Sequence, residues 1–294
     1  MLPEGQYDPG QYTYRPVRRK NGVSIPRLIA VMAIAAILMA VAMSAMNFNR
    51  SSGYGDTTEE YAWHIPDSPI SGIKFEISVT LIGDEIEAAR SSGIDRSGSS
   101  TNSPTSGEYA VKDYVVVSET ITNLANALWE EYKTKIIDNP MVSGYSSPKL
   151  FSDYVLAFVD YAADYQTDEE QFEEAEYWLY PIETLYFGKG DCEDTSILAC
   201  SLYSALSGID GAKDMVSGAC VYLLPGHAMV GIDVVGGIPP SASTFSTDVG
   251  GKEYYFGETT IDNPDSWMSV GELGKAYYGA STHGYVGIAK DYVK

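Results

Sequence analysis

The heptapeptide at residues 188–194, Gly-Lys-Gly-Asp-Cys-Glu-Asp, constrains the fold of this chain more than any other feature. Two glycines lead into it, and apolar residues follow Cys192 at helical spacing until Ser207 and Gly208 end the pattern. Asp191 and Asp194 are spaced as the N-cap and N3 residues of a capping box. The pattern therefore predicts a helix whose first turn carries a cysteine thiol.

A thiol at a helix N-terminus is a candidate nucleophile. The unpaired N–H groups and the helix dipole favour the thiolate, which is the reactive form of cysteine. Glu193 and Asp194 oppose this effect, because nearby carboxylates raise the pKa of a thiol. From these residues alone, Cys192 is either a reactive thiol that needs a basic partner or a small structural residue.

The chain has three histidines from which that partner could come. His64 lies in an irregular upstream stretch, and His283 lies in a turn-like sequence near the C-terminus. His227 follows a Pro-Gly pair and begins an apolar strand, where an imidazole can point out of a sheet edge. A later strand, residues 253–260, carries Glu258, whose carboxylate could orient that imidazole. Cysteine, histidine and acid are the groups that nucleophilic cysteine chemistry needs, provided that they converge in space.

Four motifs, in the same order along the chain, resemble those of the transglutaminase-like superfamily, especially its membrane-associated prokaryotic members and among these the archaeal ones. They are Tyr180–Leu185, Gly190–Asp194, Pro225–Ala228 and Glu258–Thr260. The resemblance covers residues 118–274, and Trp267–Glu272 is similar to the segment that follows the acid in such proteins.

This resemblance implies a papain-like α+β fold, in which helices pack on one side of an antiparallel sheet. It implies that Cys192 is the nucleophile, that His227 is the general base and that Glu258, where many relatives carry aspartate, orients the histidine. Tyr180, which lies upstream in the matching motif, is a candidate oxyanion donor and equally a candidate core residue.

The N-terminal region predicts a membrane anchor. Leu28–Met46 is a 19-residue apolar stretch without charge, about 28 Å long as a helix, and we assign residues 28–48 to a single transmembrane span. Residues 1–27 form a basic leader. Residues 1–28 carry five basic and two acidic side chains, net +3, whereas residues 29–294 carry 14 basic and 38 acidic side chains, net −24. This asymmetry favours a cytoplasmic leader and an extracytoplasmic domain. A cleaved signal peptide is the alternative.

Net charge and cysteine content limit which macromolecules and metals the chain can bind. The strong negative charge argues against nucleic acid, because phosphate contacts need clustered lysine and arginine. We expect no cofactor and no structural zinc, since the three cysteines form no CxxC pair and the chain has no HExxH motif. Cys200 and Cys220 are predicted to be buried thiols, although an extracytoplasmic location leaves a disulfide between them open.

We divide the rest of the chain into a linker and strand-containing extension, residues 49–117, and a transglutaminase-like domain, residues 118–294. Within the extension, alternation predicts a half-buried strand, and further sequence patterns predict a returning strand, a Ser/Gly-rich loop and a juxtamembrane linker. These four segments are Phe75–Leu81, Tyr109–Val117, Ser91–Gly107 and Arg50–Asp67. In the domain, we predict helices capped by Ser118 and Ser147 and a solvated acidic run, Asp168–Glu176.

Together these features predict a membrane-anchored cysteine hydrolase or acyltransferase that acts through a thioester on protein or peptide amides at the cell surface. The alternative is a non-catalytic surface module that uses the same fold to bind proteins. For the enzyme, we expect Cys192 and His227 to form a thiolate–imidazolium pair near neutral pH.

The predicted topology can be tested by protease treatment of intact cells. Cleavage should remove the acidic domain and leave residues 1–27 protected, because the basic leader stays in the cytoplasm. Protection of the whole chain, under conditions where a known surface protein is cleaved, would contradict this topology.

Overall fold

The computed structural model describes residues 53–65, 68–96, 111, 113–224, 227–239, 246–260, 272–274 and 285–287. The predicted anchor, residues 28–48, lies outside this set, as does most of Trp267–Glu272. Of the helices in the described part of the chain, none is long and apolar enough to cross a membrane.

Within these ranges the protein is a mixed α+β structure. The longer helices are α1 (Gly83–Arg90), α2 (Glu119–Tyr132), α3 (Pro148–Ala162), α4 (Asp168–Phe172), α5 (Pro181–Phe187) and α6 (Cys192–Leu206). A π-helical turn (Lys133–Ile137) and two 3-10 turns (Ser143–Tyr145 and Ala212–Asp214) connect some of them. The strands are β1 (Thr57–Trp63), β2 (Phe75–Leu81), β3 (Asp164–Tyr165), β4 (Lys189–Gly190), β5 (Val216–Leu224), β6 (His227–Val234), β7 (Ser246–Val249), β8 (Lys252–Gly257) and β9 (Tyr285–Gly287).

The helix starts follow from their capping residues. The Ser118 hydroxyl accepts the Ile121 N–H at 3.3 Å, and the Ser147 hydroxyl accepts the Leu150 N–H at 3.1 Å. These bonds satisfy N–H groups that have no partner within their own helix. The predicted starts of α2 and α3 are therefore confirmed.

The N-terminal hairpin corrects one strand prediction. Strand β2 has the predicted bounds and alternating burial, but it pairs antiparallel with β1, which lies in the segment predicted to be a linker. The predicted return strand, Tyr109–Val117, is wrong over its described part, where the Val115 N–H donates to the carbonyl of Val111 in a helical turn. Tyr114 and Val115 are both buried, and two consecutive buried residues do not fit an alternating strand.

The main sheet is antiparallel and has five strands in the order β7-β8-β6-β5-β9. Strands β3 and β4 form a separate two-residue parallel pair. Helix α6 packs against β5 and β6, and the hairpin shares one hydrophobic core with the helices. For example, the Tyr154 ring of α3 lies 4.7 Å from Phe75 and 5.3 Å from Trp63, measured between ring centroids. The sheet and helices thus fix the start of α6 relative to the ends of β6 and β8.

A buried ion pair holds the segment after α1 against the start of α5. Arg96 donates to a Glu183 carboxylate oxygen at 2.7 Å and to the Trp178 carbonyl at 2.8 Å, and only 10% of its side chain is exposed. Its guanidinium lies 4.6 Å from the centre of the Tyr180 ring. Because Glu183 is fully buried, removing Arg96 would leave a carboxylate without its main counter-charge.

Arg96→Met should therefore lower the free energy of unfolding by about 3 kcal/mol, measured by urea denaturation of the full chain. The matched control is Lys133→Met, which breaks an exposed ion pair to Glu130 and should cost less than about 1 kcal/mol. Equal losses in the two variants would contradict a structural role for the buried pair.

Candidate active site

Cys192 is the first residue of α6, as the capping pattern predicted. Asp191 is the N-cap, and its N–H donates to a carboxylate oxygen of Asp194 at 3.4 Å. The other Asp194 oxygen accepts the Leu179 N–H at 2.7 Å. A side chain at Gly190 would collide with Asp194, because a Cβ atom there would lie 2.7 Å from the Asp194 Cβ. These contacts fix the direction in which α6 presents its first turn.

His227 and Glu258 meet at one end of the main sheet. His227 begins β6, opposite Leu224 in the hairpin with β5, and Glu258 follows the last residue of β8, which pairs with β6. His227 Nε2 and Glu258 Oε2 are 2.7 Å apart, with 31% and 5% of the two side chains exposed. A contact of this length between a ring N–H and a carboxylate is a charge-assisted hydrogen bond.

The second oxygen of Glu258 is held by the two threonines that follow it. Oε1 accepts the N–H groups of Thr259 and Thr260 at 3.0 and 3.2 Å, and the Thr260 hydroxyl at 2.8 Å. These three donors leave Oε2 directed at His227.

Cys192 lies beside the start of β6, but its thiol has a different partner from the expected one. The Ala228 N–H, one residue after His227, is close enough to the sulfur to favour the thiolate. The thiol donates to Glu193 Oε2 at 3.2 Å, and no hydrogen bond within the described part of the chain joins it to His227. The three predicted site residues thus occupy one end of the sheet as a thiol–Glu193 pair and a His227–Glu258 pair.

Two threonines that the sequence did not single out as site residues link helix α6 to Glu258. The hydroxyls of Thr195 and Thr259 are 2.8 Å apart in the interior, and the Thr195 hydroxyl also donates to the Asp191 carbonyl at 2.7 Å. Thr259 directly follows Glu258, so this contact joins the first turn of α6 to the end of β8. The Glu-Thr-Thr sequence was the available signal, although only a structure pairs it with Thr195.

The electrostatics of the thiol contradict the expected thiolate–imidazolium pair. Burial, followed by the charges of Glu193 and Asp191, raises the pKa of Cys192 well above its ordinary value, and the Ala228 N–H only partly offsets this. Burial lowers the pKa of His227, but the hydrogen bond and charge of Glu258 outweigh burial and raise it overall. The resting site therefore holds a neutral thiol, because the helix dipole is too weak to offset desolvation and two carboxyl groups.

A cluster of carboxyl groups surrounds the start of α6. Asp168, Glu176, Asp191, Glu193 and Asp194 supply oxygen atoms within 4.8 Å of one another in overlapping groups. The prediction that Asp168–Glu176 is a solvated face is wrong at Asp168, which is buried and accepts the Tyr177 N–H, because the chain turns this residue towards α6.

Carboxyl groups this close either bind a cation or share protons. Burial raises the pKa of Asp191, and a hydrogen bond to Glu193, which needs a proton on one of the two groups, raises it further. Burial likewise raises the pKa of Asp194. These raised pKa values favour bound protons on part of the cluster.

Tyr180, the candidate oxyanion donor, is the N-cap of α5 and is largely buried. Its N–H donates to Glu183 at 3.0 Å, and its ring packs against Tyr114 and the Arg96 guanidinium. Its neighbour Leu179 is bonded to Asp194, which ties this loop to the start of α6. The backbone N–H of Tyr180 is thus already engaged, and its ring is part of the hydrophobic core, as the alternative prediction of a core residue had it.

Comparison with known proteins adds no assignment: no protein-family model matches the chain, and no curated protein matches it significantly.

Glu258→Gln should lower the pKa of His227, because it removes the charge and the strong hydrogen bond that raise this pKa. An NMR titration of the imidazole C–H signals can measure the shift, and His227→Asn assigns the signal among the three histidines. Glu253→Gln is the control, since that exposed carboxylate on β8 binds Ser246 and Tyr255 instead. An unchanged His227 pKa in Glu258→Gln would mean that the pair does not form in solution.

Proposed function

We propose that this protein is a cysteine hydrolase or acyltransferase with a transglutaminase-like, papain-like core, and that Cys192, His227 and Glu258 form its triad. The 2.7 Å contact between His227 and Glu258, beside a cysteine at a helix start, carries this proposal. An orienting acid behind a half-exposed histidine is the arrangement that activates a thiol in acyl transfer.

In the proposed reaction, the Cys192 proton moves to His227 Nδ1, because Nε2 is occupied by Glu258. The sulfur attacks the carbonyl carbon of an amide, and the C=O π electrons move onto oxygen. The N–H groups at the start of α6 and a second donor, for which Tyr180 is a candidate, would stabilise this oxyanion. As the C–N bond breaks, His227 returns the proton to the leaving amine, and a thioester remains.

The thioester is resolved when His227 removes a proton from water or from an amine that attacks the same carbonyl carbon. The C–S bond then breaks, and His227 returns the proton to the departing Cys192 sulfur. Water gives a protease or amidase, and an amine gives a new amide bond. The triad is compatible with both outcomes, so the proposal names the reaction class and not the acceptor.

For this reaction the thiol has to leave Glu193 and turn towards His227. One rotation about the Cα–Cβ bond redirects a cysteine sulfur, and catalytic hydrogen bonds often form only in the substrate complex. Substrate binding that also excludes water would strengthen the attraction between thiolate and imidazolium.

The proposed substrates are protein or peptide amides at the cell surface. This location depends on the anchor predicted for residues 28–48 and on the acidic composition of the rest of the chain. Basic segments of surface proteins or wall peptides would be attracted by the same negative charge.

The alternative function, a protein-binding module without catalysis, is favoured by one observation. The thiol donates to a carboxylate, and its pKa is raised. A thiol that stays protonated in the presence of substrate would be inert, and the acidic surface would then act in binding.

Mass spectrometry after exposure to peptide mixtures should detect an acyl adduct on Cys192. Cys192→Ala should abolish adduct formation and turnover, a loss of at least about 1000-fold, and His227→Ala should be nearly as severe, because thiol and base act as a unit. Glu258→Gln should keep partial activity. Cys200→Ala is the matched control, since Cys200 lies on the same helix but is buried in the core. Full activity of Cys192→Ala would refute the triad, and a wild-type chain that forms no adduct would support the binding module.

A further inference from the structure

Glu193 touches the reacting atom but has no role in the triad. Its carboxylate accepts the Cys192 thiol at 3.2 Å, and only 6% of the residue is exposed. A buried carboxylate is costly unless it is paired or protonated, so its place against a nucleophile needs an explanation.

The groups that face Glu193 come from several elements. Asp191 caps the same helix and Asp194 lies on it, Asp168 comes from α4, and Glu176 comes from the loop before α5. His227 of β6 faces the cluster through its interaction with Asp191. Most of these neighbours are acidic, so the field at Glu193 favours a bound proton over a free carboxylate.

We propose that Glu193 is a second proton acceptor for Cys192 and controls whether its sulfur is nucleophilic. One proton is shared between the sulfur and the carboxylate oxygen. When the proton is on sulfur, the thiol is neutral and unreactive. When it moves to oxygen, a neutral carboxylic acid donates to the thiolate and stabilises it. The step is a proton transfer only, so it needs no oxidant, reductant or further reactant.

The reactive state is therefore a thiolate beside a protonated Glu193. In this state the Cys192–Glu193 pair still holds one proton, which lies on the carboxyl group. Burial, despite a hydrogen bond from Asp191, raises the pKa of Glu193 to about 7. The pair should lose its first proton near this pH and keep the second to much higher pH, because a thiolate beside a carboxylate is strongly disfavoured.

This proposal predicts a two-step pH profile for alkylation of Cys192. The rate with iodoacetamide, followed by mass spectrometry of the Cys192 peptide in the full chain, should rise near pH 7, reach a plateau and rise again at high pH. Glu193→Gln should abolish the first rise and leave a single thiol titration, because glutamine cannot exchange a proton with the sulfur. Glu170→Gln, an exposed carboxylate on α4, should keep both steps.

The His227→Asn variant distinguishes this proposal from proton transfer to the imidazole alone. If Glu193 shares the proton, the first rise persists in His227→Asn and disappears in Glu193→Gln. The reverse pattern would overturn the proposal and assign the step to the thiol–imidazole pair. Loss of the first rise on addition of calcium, with recovery in EDTA, would also overturn it, because the cluster would then bind a cation.

The inference rests on the proposed function only in treating Cys192 as the nucleophile, and alkylation tests it without any substrate. Failure of turnover with an intact two-step profile would reject the enzyme but keep the shared proton. If Glu193→Gln fails to fold, as judged by circular dichroism, the wild type still decides the matter by infrared spectroscopy. Its S–H band should shift to higher frequency when Glu193 becomes protonated near pH 7, and Cys192→Ala identifies that band. An S–H band that does not change through this range would overturn the proposal.

Discussion

The geometry of this site depends on one buried carboxyl group, Asp194. Its two oxygens bind the N–H groups of Leu179 and Asp191, and its Cβ leaves no room for a side chain at Gly190. Three chain segments therefore converge on a single side chain: the loop before α5, strand β4 and the first turn of α6. Because such a group is isolated from water, each hydrogen bond is costly to lose and the arrangement is rigid. Because Cys192 lies between Asp191 and Asp194, these contacts also fix the position of its backbone.

The same choice of residues sets the charge around the thiol. A helix start built from Asp191, Glu193 and Asp194 gains caps and a favourable interaction with the helix dipole, but it surrounds the sulfur with acidic groups. Burial then decides the balance, since desolvation is the largest influence on the pKa of the thiol and of all three carboxyl groups. A neutral resting thiol is a poor target for oxidation, which attacks thiolates.

Local sequence patterns predicted the starts of the helices well, but they did not predict which strands pair with each other. The caps at Ser118, Ser147 and Asp191 act within one helical turn, so they can be read from spacing alone. The partner of β2 could not be read in this way, because β1 and Tyr109–Val117 both offer suitable residues and only packing selects between them. The predictions of an exposed Asp168 and of a thiolate at Cys192 failed for the same reason. The burial of Asp168 and the raised pKa of Cys192 both depend on groups that the fold brings together. His227 and Glu258 come together because each lies at the end of a strand in the same sheet.

The contacts of Glu258 hold its carboxylate in one position against His227. The extra methylene of a glutamate, compared with an aspartate, would make the carboxylate longer and more mobile, but Oε1 is folded back onto Thr259 and Thr260 by three hydrogen bonds. Each bond to a charged acceptor is worth about 1.5–3 kcal/mol, enough to hold one rotamer against the side-chain entropy that is lost. Thr259 in turn reaches Thr195 on α6. The acid that orients His227 is thus positioned by the same helix that carries the thiol, so a displacement of either element would change both.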